Sequence, residues 1–131
     1  MTLVDTSAWI ELLRGTGSAV HLRLRELVRG GDELATTGPV SMELLAGART
    51  PTHARRIRAA LAACRTLEVR GTRDWEDAAA LYLTCRLAGL TPRKLLDCLI
   101  AAVAIRAGVP VLAQDRDFEL IAEHTALELL D

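Results

Sequence analysis

Four acidic residues stand where an apolar interior should leave none. Asp5 closes the run "TLV", Asp115 closes "VLAQ", Glu43 lies in "VSMELLAG" and Asp97 in "KLLDCLIAAVAI". A lone carboxylate buried in such a segment costs several kcal/mol unless it is paired or metal-bound. Each acid also has an ordinary structural role open to it. Asp5 and Asp115 can cap helices, Glu43 can be a first-turn acid favoured by the helix dipole, and Asp97 can pair with Arg93 or Lys94 one turn earlier. Independent caps, however, have no cause to fall only at strand ends and on otherwise apolar helices. One shared divalent cation accounts for all four, because hard Mg²⁺ or Mn²⁺ takes oxygen ligands and offsets the repulsion between clustered carboxylates.

Softer chemistry has no foothold. The cysteines Cys64, Cys85 and Cys98 are odd in number and have no zinc-type spacing, so they read as buried free thiols. His21, His53 and His124 are scattered, and no Ser/His or Cys/His pair is suggested. Sixteen basic residues against seventeen acidic ones give a net charge of -1, which argues neither for nor against a nucleic-acid partner. All the cations but Lys94 are arginine, with Arg55, Arg56 and Arg58 clustered. Guanidinium suits bidentate phosphate contact, although a GC-rich genome explains the same bias.

The elements that must position the acids follow from periodicity. At 131 residues, with no low-complexity linker or repeat, the chain reads as one domain over 1–131. No apolar stretch reaches the roughly 18 to 20 residues a membrane span needs, and the N-terminus lacks a basic leader and an apolar h-region, so a cytoplasmic protein is expected. Short strands are predicted at 2–5, 34–36, 66–69, 110–114 and 126–130. Helices are predicted at 8–14, 18–29, from Pro39 through "VSMELLAG", at 52–64, at 73–88 capped by Thr72, from Pro92 to Gly108, and at 117–123. Strands alternating with helices imply a parallel sheet covered on both faces, with any ligand beyond the carboxyl ends of the strands. Asp5 and Asp115 both stand at such ends.

The segments "LVDTSAWIELL", "VSMELLAG" and "GLTPRKLLDCLIAAVAIRAGVPVLAQDRDFELIA" resemble the PIN-domain family, and within it the VapC-type toxins of bacterial toxin–antitoxin modules. The likeness covers essentially the whole chain. It implies a three-layer α/β/α fold around a parallel five-stranded sheet in the order 3-2-1-4-5. The family's four acids fall on Asp5, Glu43, Asp97 and Asp115. The resemblance further implies an endoribonuclease acting on RNA, a homodimer, and a cognate antitoxin for which the first helices supply grooves. In this sequence Ala113 and Gln114 stand where many relatives carry a hydroxyl.

A metal so held would lower the pKa of bound water and neutralise charge on a phosphodiester as it is attacked. Asp5, Asp97 and Asp115 are assigned as direct ligands, with Glu43 acting through water or orienting the nucleophile. Thr6 and Ser7 are read as helix caps, with a contact to the metal or its water as the sharper alternative; Asp117, only two residues beyond Asp115, is read as a helix-start acid, with a contact to the metal as its alternative. Arg14, Arg49, Arg93, Lys94 and Arg116 flank the crevice in sequence as candidate phosphate contacts, while Trp9, Trp75, Tyr82 and Phe118 are assigned to core packing. Two rival readings stay open: a haloacid-dehalogenase-type phosphatase, which expects a second Asp where Ser7 stands, and a catalytically inert PIN-like module that binds RNA or protein.

Overall fold

The computed structural model describes residues 1–131. β1 (Thr2–Val4) leads into α1 (Thr6–Arg14) and α2 (Ala19–Arg29); β2 (Leu34–Thr36) leads into α3 (Gly38–Ala46) and α4 (Pro51–Ala62). β3 (Arg65–Thr66) is followed by α5 (Gly71–Leu87) and α6 (Leu95–Ala107), then β4 (Val111–Leu112) and α7 (Arg116–His124). All strand pairs are parallel, in the order β3-β2-β1-β4. The strand expected at 126–130 is reduced to one parallel bridge between Val111 and Leu129. There the Val111 N–H donates to the Glu128 carbonyl at 3.0 Å, and the Leu130 N–H donates to the Val111 carbonyl at 2.9 Å. β4 is so short that it offers a fifth strand only one residue to pair with. The sheet is therefore a four-stranded ladder with its fifth position marked by a bridge.

Right-handed crossovers fix the layers. Stepping outward from β1 to β2 to β3 puts α1–α4 on one face, and the return from β3 across the sheet to β4 puts α5 and α6 on the other. The packing agrees, with α1 against α2 and α3, α3 against α4, and α5, α6 and α7 against one another. Residues 97–104 of α6 are all buried, as expected for a helix that is apolar all round. That helix precedes β4 and runs antiparallel to the strands. Its first turn, with Asp97, thus lies at the carboxyl edge of the sheet, where β1 and β4 also end.

Several boundaries move for physical reasons. α1 begins at Thr6 because Asp5, and neither Thr6 nor Ser7, is its N-cap. α6 begins at Leu95 instead of Pro92, because the Arg93 N–H is drawn out of any helix to the carboxylate of Asp117 at 2.9 Å. Thr72 does not cap α5; the cap residue is Arg70, whose N–H is accepted by Asp74 at 2.7 Å. β3 stops after two residues, since only Ala35 and Thr36 face it as ladder partners.

Asp74 also forms a buried ion pair that no sequence pattern announces. Its carboxylate is inaccessible to solvent and accepts from Arg106 Nε at 2.9 Å and Nη2 at 3.0 Å, while Nη2 also donates to the Glu68 carbonyl at 2.7 Å. Burial pushes the Asp74 carboxyl up, but the Arg106 hydrogen bonds and charge outweigh it and hold the group below the usual carboxylate range. The pair locks α5 to α6. The three cysteines are free, with Cys85 and Cys98 buried. Trp9 and Phe118 belong to the core as expected, whereas Trp75 is 60% exposed.

Candidate active site

The four acids converge at the carboxyl edge of the sheet, with Asp97 at the centre. One carboxylate oxygen from each of Asp5, Glu43 and Asp97 lies within 4.8 Å of the other two, and Asp97, Asp115 and Asp117 form a second such group. Asp5 and Asp97 are each only 3% exposed.

Asp5 is held from both flanks. Its Oδ2 accepts from the Ser7 N–H at 2.9 Å and from the Ser7 hydroxyl at 2.5 Å. The Ser7 oxygen in turn accepts the Gln114 N–H at 2.9 Å, which ties the end of β1 to the segment after β4. Ser7 is thus a positioning residue for Asp5. Thr6 donates its hydroxyl to Glu43 Oε1 at 2.9 Å, so the residue after Asp5 orients the second acid. Lys94 Nζ faces the other oxygen of Glu43 at 3.9 Å.

On the far side, Arg93 and Asp117 close the cluster. Asp115 caps α7, its Oδ1 accepting the Asp117 N–H at 2.9 Å and Arg93 Nη2 at 3.0 Å. Asp117 is 4% exposed and accepts both the Arg93 N–H and its Nε, at 2.9 and 3.3 Å. Arg93 therefore pairs with Asp115 and Asp117, and the alternative of an Arg93–Asp97 pair is not realised. Asp117 begins its helix as expected but also lies in the acidic cluster beside Asp97. The two-residue spacing of Asp115 and Asp117 was the signal for this; the bond from Arg93 had none, because it spans 24 positions.

Two carboxylate oxygens, Asp5 Oδ1 and Asp97 Oδ2, are buried with no hydrogen-bond partner. Such orphaned acceptors are costly. The cost shows in the titration: burial, then the charges of Asp5 and Asp115, push the Asp97 carboxyl up to about 7, with Lys94 opposing and Glu43 adding to the rise. Burial raises the Asp5 carboxyl as well, against the Ser7 hydrogen bonds, and the charge of Glu43 adds to it. Clustered carboxylates with unsatisfied oxygens and no thiol or imidazole among them form an all-oxygen donor set, which fits a hard divalent cation.

Comparison with known proteins gives consistent results. The family model for the PIN domain matches residues 2–124. The chain is 38% identical over 129 residues to Ribonuclease VapC11 of Mycobacterium tuberculosis, covering 98% of this chain and 96% of that protein. A VapC ribonuclease of Mycobacterium bovis is similar to the same degree, 38% over 129 residues with 98% and 96% covered. Among solved structures, the fold resembles VapBC2 of Rickettsia felis bound to a DNA fragment from its promoter, with a TM-score of 0.78, 15% identity, and 98% and 96% of the two chains covered. It also resembles Mycobacterium tuberculosis VapC20, described as a sarcin-ricin loop cleaving toxin, with a TM-score of 0.71, 23% identity, and 98% and 99% covered.

Proposed function

The chain belongs to the PIN-domain family, and from that premise we propose that it is an endoribonuclease toxin, dependent on Mg²⁺ or Mn²⁺ and neutralised by a cognate antitoxin. The observation that carries the catalytic reading is the pair of buried, unpartnered oxygens on Asp5 and Asp97 inside a ring of further acids. Similarity to ribonucleases over nearly the whole chain supports RNA as substrate. The likeness to VapBC assemblies supports an antitoxin partner. The chain is proposed to act as one domain, as a homodimer, in the cytoplasm; no helix is long and apolar enough to cross a membrane.

Asp5, Asp97 and Asp115 would hold the ion. Such an ion, when bound, lowers the pKa of a coordinated water and neutralises charge that builds on a phosphodiester. Glu43, oriented by Thr6, would orient the attacking water and accept its proton while the bond to phosphorus forms and the bond to the leaving oxygen breaks. Ser7 keeps Asp5 aimed at the ion, and Arg93 fixes Asp115. The phosphatase reading finds no second aspartate, since Ser7 occupies that place and is committed to Asp5 and Gln114.

Incubating purified protein with RNA and Mn²⁺, beside Asp5→Asn and Asp97→Asn, tests the proposal. Cutting by the wild type and not by the folded variants is expected. Equal cutting by all three removes these acids from catalysis, and no cutting by any leaves the inert binding module as the better account.

A further inference from the structure

Beside Glu43, three helices leave a groove of about 350 Å³, near the lower end of the roughly 300–1,000 Å³ found for small-molecule pockets. From α1 come Ile10, Leu13 and Arg14, and from α4 come His53, Arg56 and Ile57. Both triplets are spaced i, i+3, i+4, which places their members on one helical face. Each wall thus combines apolar surface with one guanidinium. Between them α3 contributes buried Leu44 to the floor and, at Gly47, no side chain at all.

We infer that this groove seats the nucleotide next to the scissile phosphate, its ring on the apolar floor and its backbone phosphate against Arg14 and Arg56. The inference rests on the ribonuclease reading and deepens it. Three observations point to a nucleotide. Glu43 lines the groove and also belongs to the acidic cluster, so the groove opens onto the site of cleavage. Arg14 and Arg56 are exposed and no acid of the chain pairs with either, which leaves both guanidinium forks for a phosphate. Arg93 pairs with Asp115 and Asp117, whereas Glu43 groups with Asp5 and Asp97, so cations stand at both ends of the cluster as a polyanionic strand crossing it requires. The apolar floor suits a base ring, since single-stranded RNA presents unstacked rings. An antitoxin peptide is the competing occupant; cations on both banks of an acidic centre favour the nucleic acid.

The experiment measures anisotropy of a fluorescein-labelled, mixed-sequence single-stranded RNA bound to Asp97→Asn protein across a salt series. Arg14→Gln with Arg56→Gln should weaken binding and flatten the plot of log Kd against log salt, its slope falling by about 1 for each guanidinium removed from a phosphate. Gly47→Leu should weaken binding about tenfold and leave the salt slope unchanged, because it fills the floor without removing charge; a Cβ there meets only backbone oxygens at 3.5 and 3.6 Å. In the otherwise wild-type enzyme with Mn²⁺, the arginine pair should raise KM with kcat spared. Unchanged RNA affinity and KM in these variants, with a wild type that cuts, would overturn the groove assignment alone. Loss of antitoxin binding with RNA binding intact would overturn it in favour of a protein-docking surface. A wild type that neither binds nor cuts RNA would overturn the ribonuclease reading and the groove assignment together.

Discussion

Arg93 Nη2 lies 3.0 Å from Asp115 Oδ1, so the acid that caps α7 is already shared with a cation of the chain. The same guanidinium reaches Asp117 through Nε at 3.3 Å. Arg93 thus partly does for Asp115 what a divalent ion would do for the whole cluster. In Arg93→Gln the metal-free protein should melt at a lower temperature, and saturating Mn²⁺ should raise its Tm by more than it raises that of the wild type. Thermal melts with and without Mn²⁺ check this; equal Mn²⁺-induced shifts would show that Arg93 does not offset charge in the cluster.

Asp97 sets a pH dependence whose sign is fixed. Its carboxyl sits near 7 in the folded chain against an ordinary 3.8. Between about pH 4 and 7 the folded, metal-free protein therefore holds a proton that the unfolded chain has released, and stability falls as pH rises through that window. Raised Asp5 acts in the same direction. Mn²⁺ affinity should run the opposite way, increasing up to about pH 7 as the carboxyls give up their protons, then levelling. Asp97→Asn should melt several degrees above metal-free wild type at pH 8 while losing Mn²⁺ binding. Calorimetric titrations at a series of pH values give both readings.

Ser7 acts only through Asp5 and Gln114. Ser7→Ala should preserve the fold and weaken Mn²⁺ affinity about 10- to 100-fold, the usual consequence of removing a partner that orients a metal ligand. Ser7→Thr, which keeps the hydroxyl, should restore most of the affinity.

Arg106→Met leaves Asp74 buried without its partner and should cost about 3–5 kcal/mol in urea unfolding. Because the Asp74 carboxyl is held below its ordinary value, the stabilisation is present above about pH 4 and is lost as pH falls through the lowered folded value. The double variant Asp74→Leu, Arg106→Met should recover much of the stability, since it removes both charges together.

The sequence made the clustered acids legible because each is out of place locally. Asp5 and Asp115 follow apolar strands, and Asp97 sits in a helix that is otherwise apolar all round; burial and repulsion are implied before any coordinates. What joins these acids to one another was not legible. Ser7 to Gln114 spans 107 positions and Thr6 to Glu43 spans 37, and no periodicity specifies such a hydrogen bond. Arg93 illustrates the limit best: helix spacing offered it Asp97, four residues on, but a segment that is not helical there sends it to α7 instead. The Asp74–Arg106 pair escaped for the opposite reason, because a first-turn acid on α5 and a last-turn cation on α6 both stand where helices ordinarily carry such charges. The fold was read nearly whole, and the strands least well, since two-residue strands such as β3 and β4 owe their existence to ladder partners more than to their own pattern.

Anomalous diffraction from crystals grown with Mn²⁺ tests the central claim most directly. A peak within direct coordination distance of both Asp5 Oδ1 and Asp97 Oδ2 is the predicted result, with Asp115 or its water completing the shell. Full Mn²⁺ occupancy elsewhere on the molecule, with no density between those two oxygens, would contradict it.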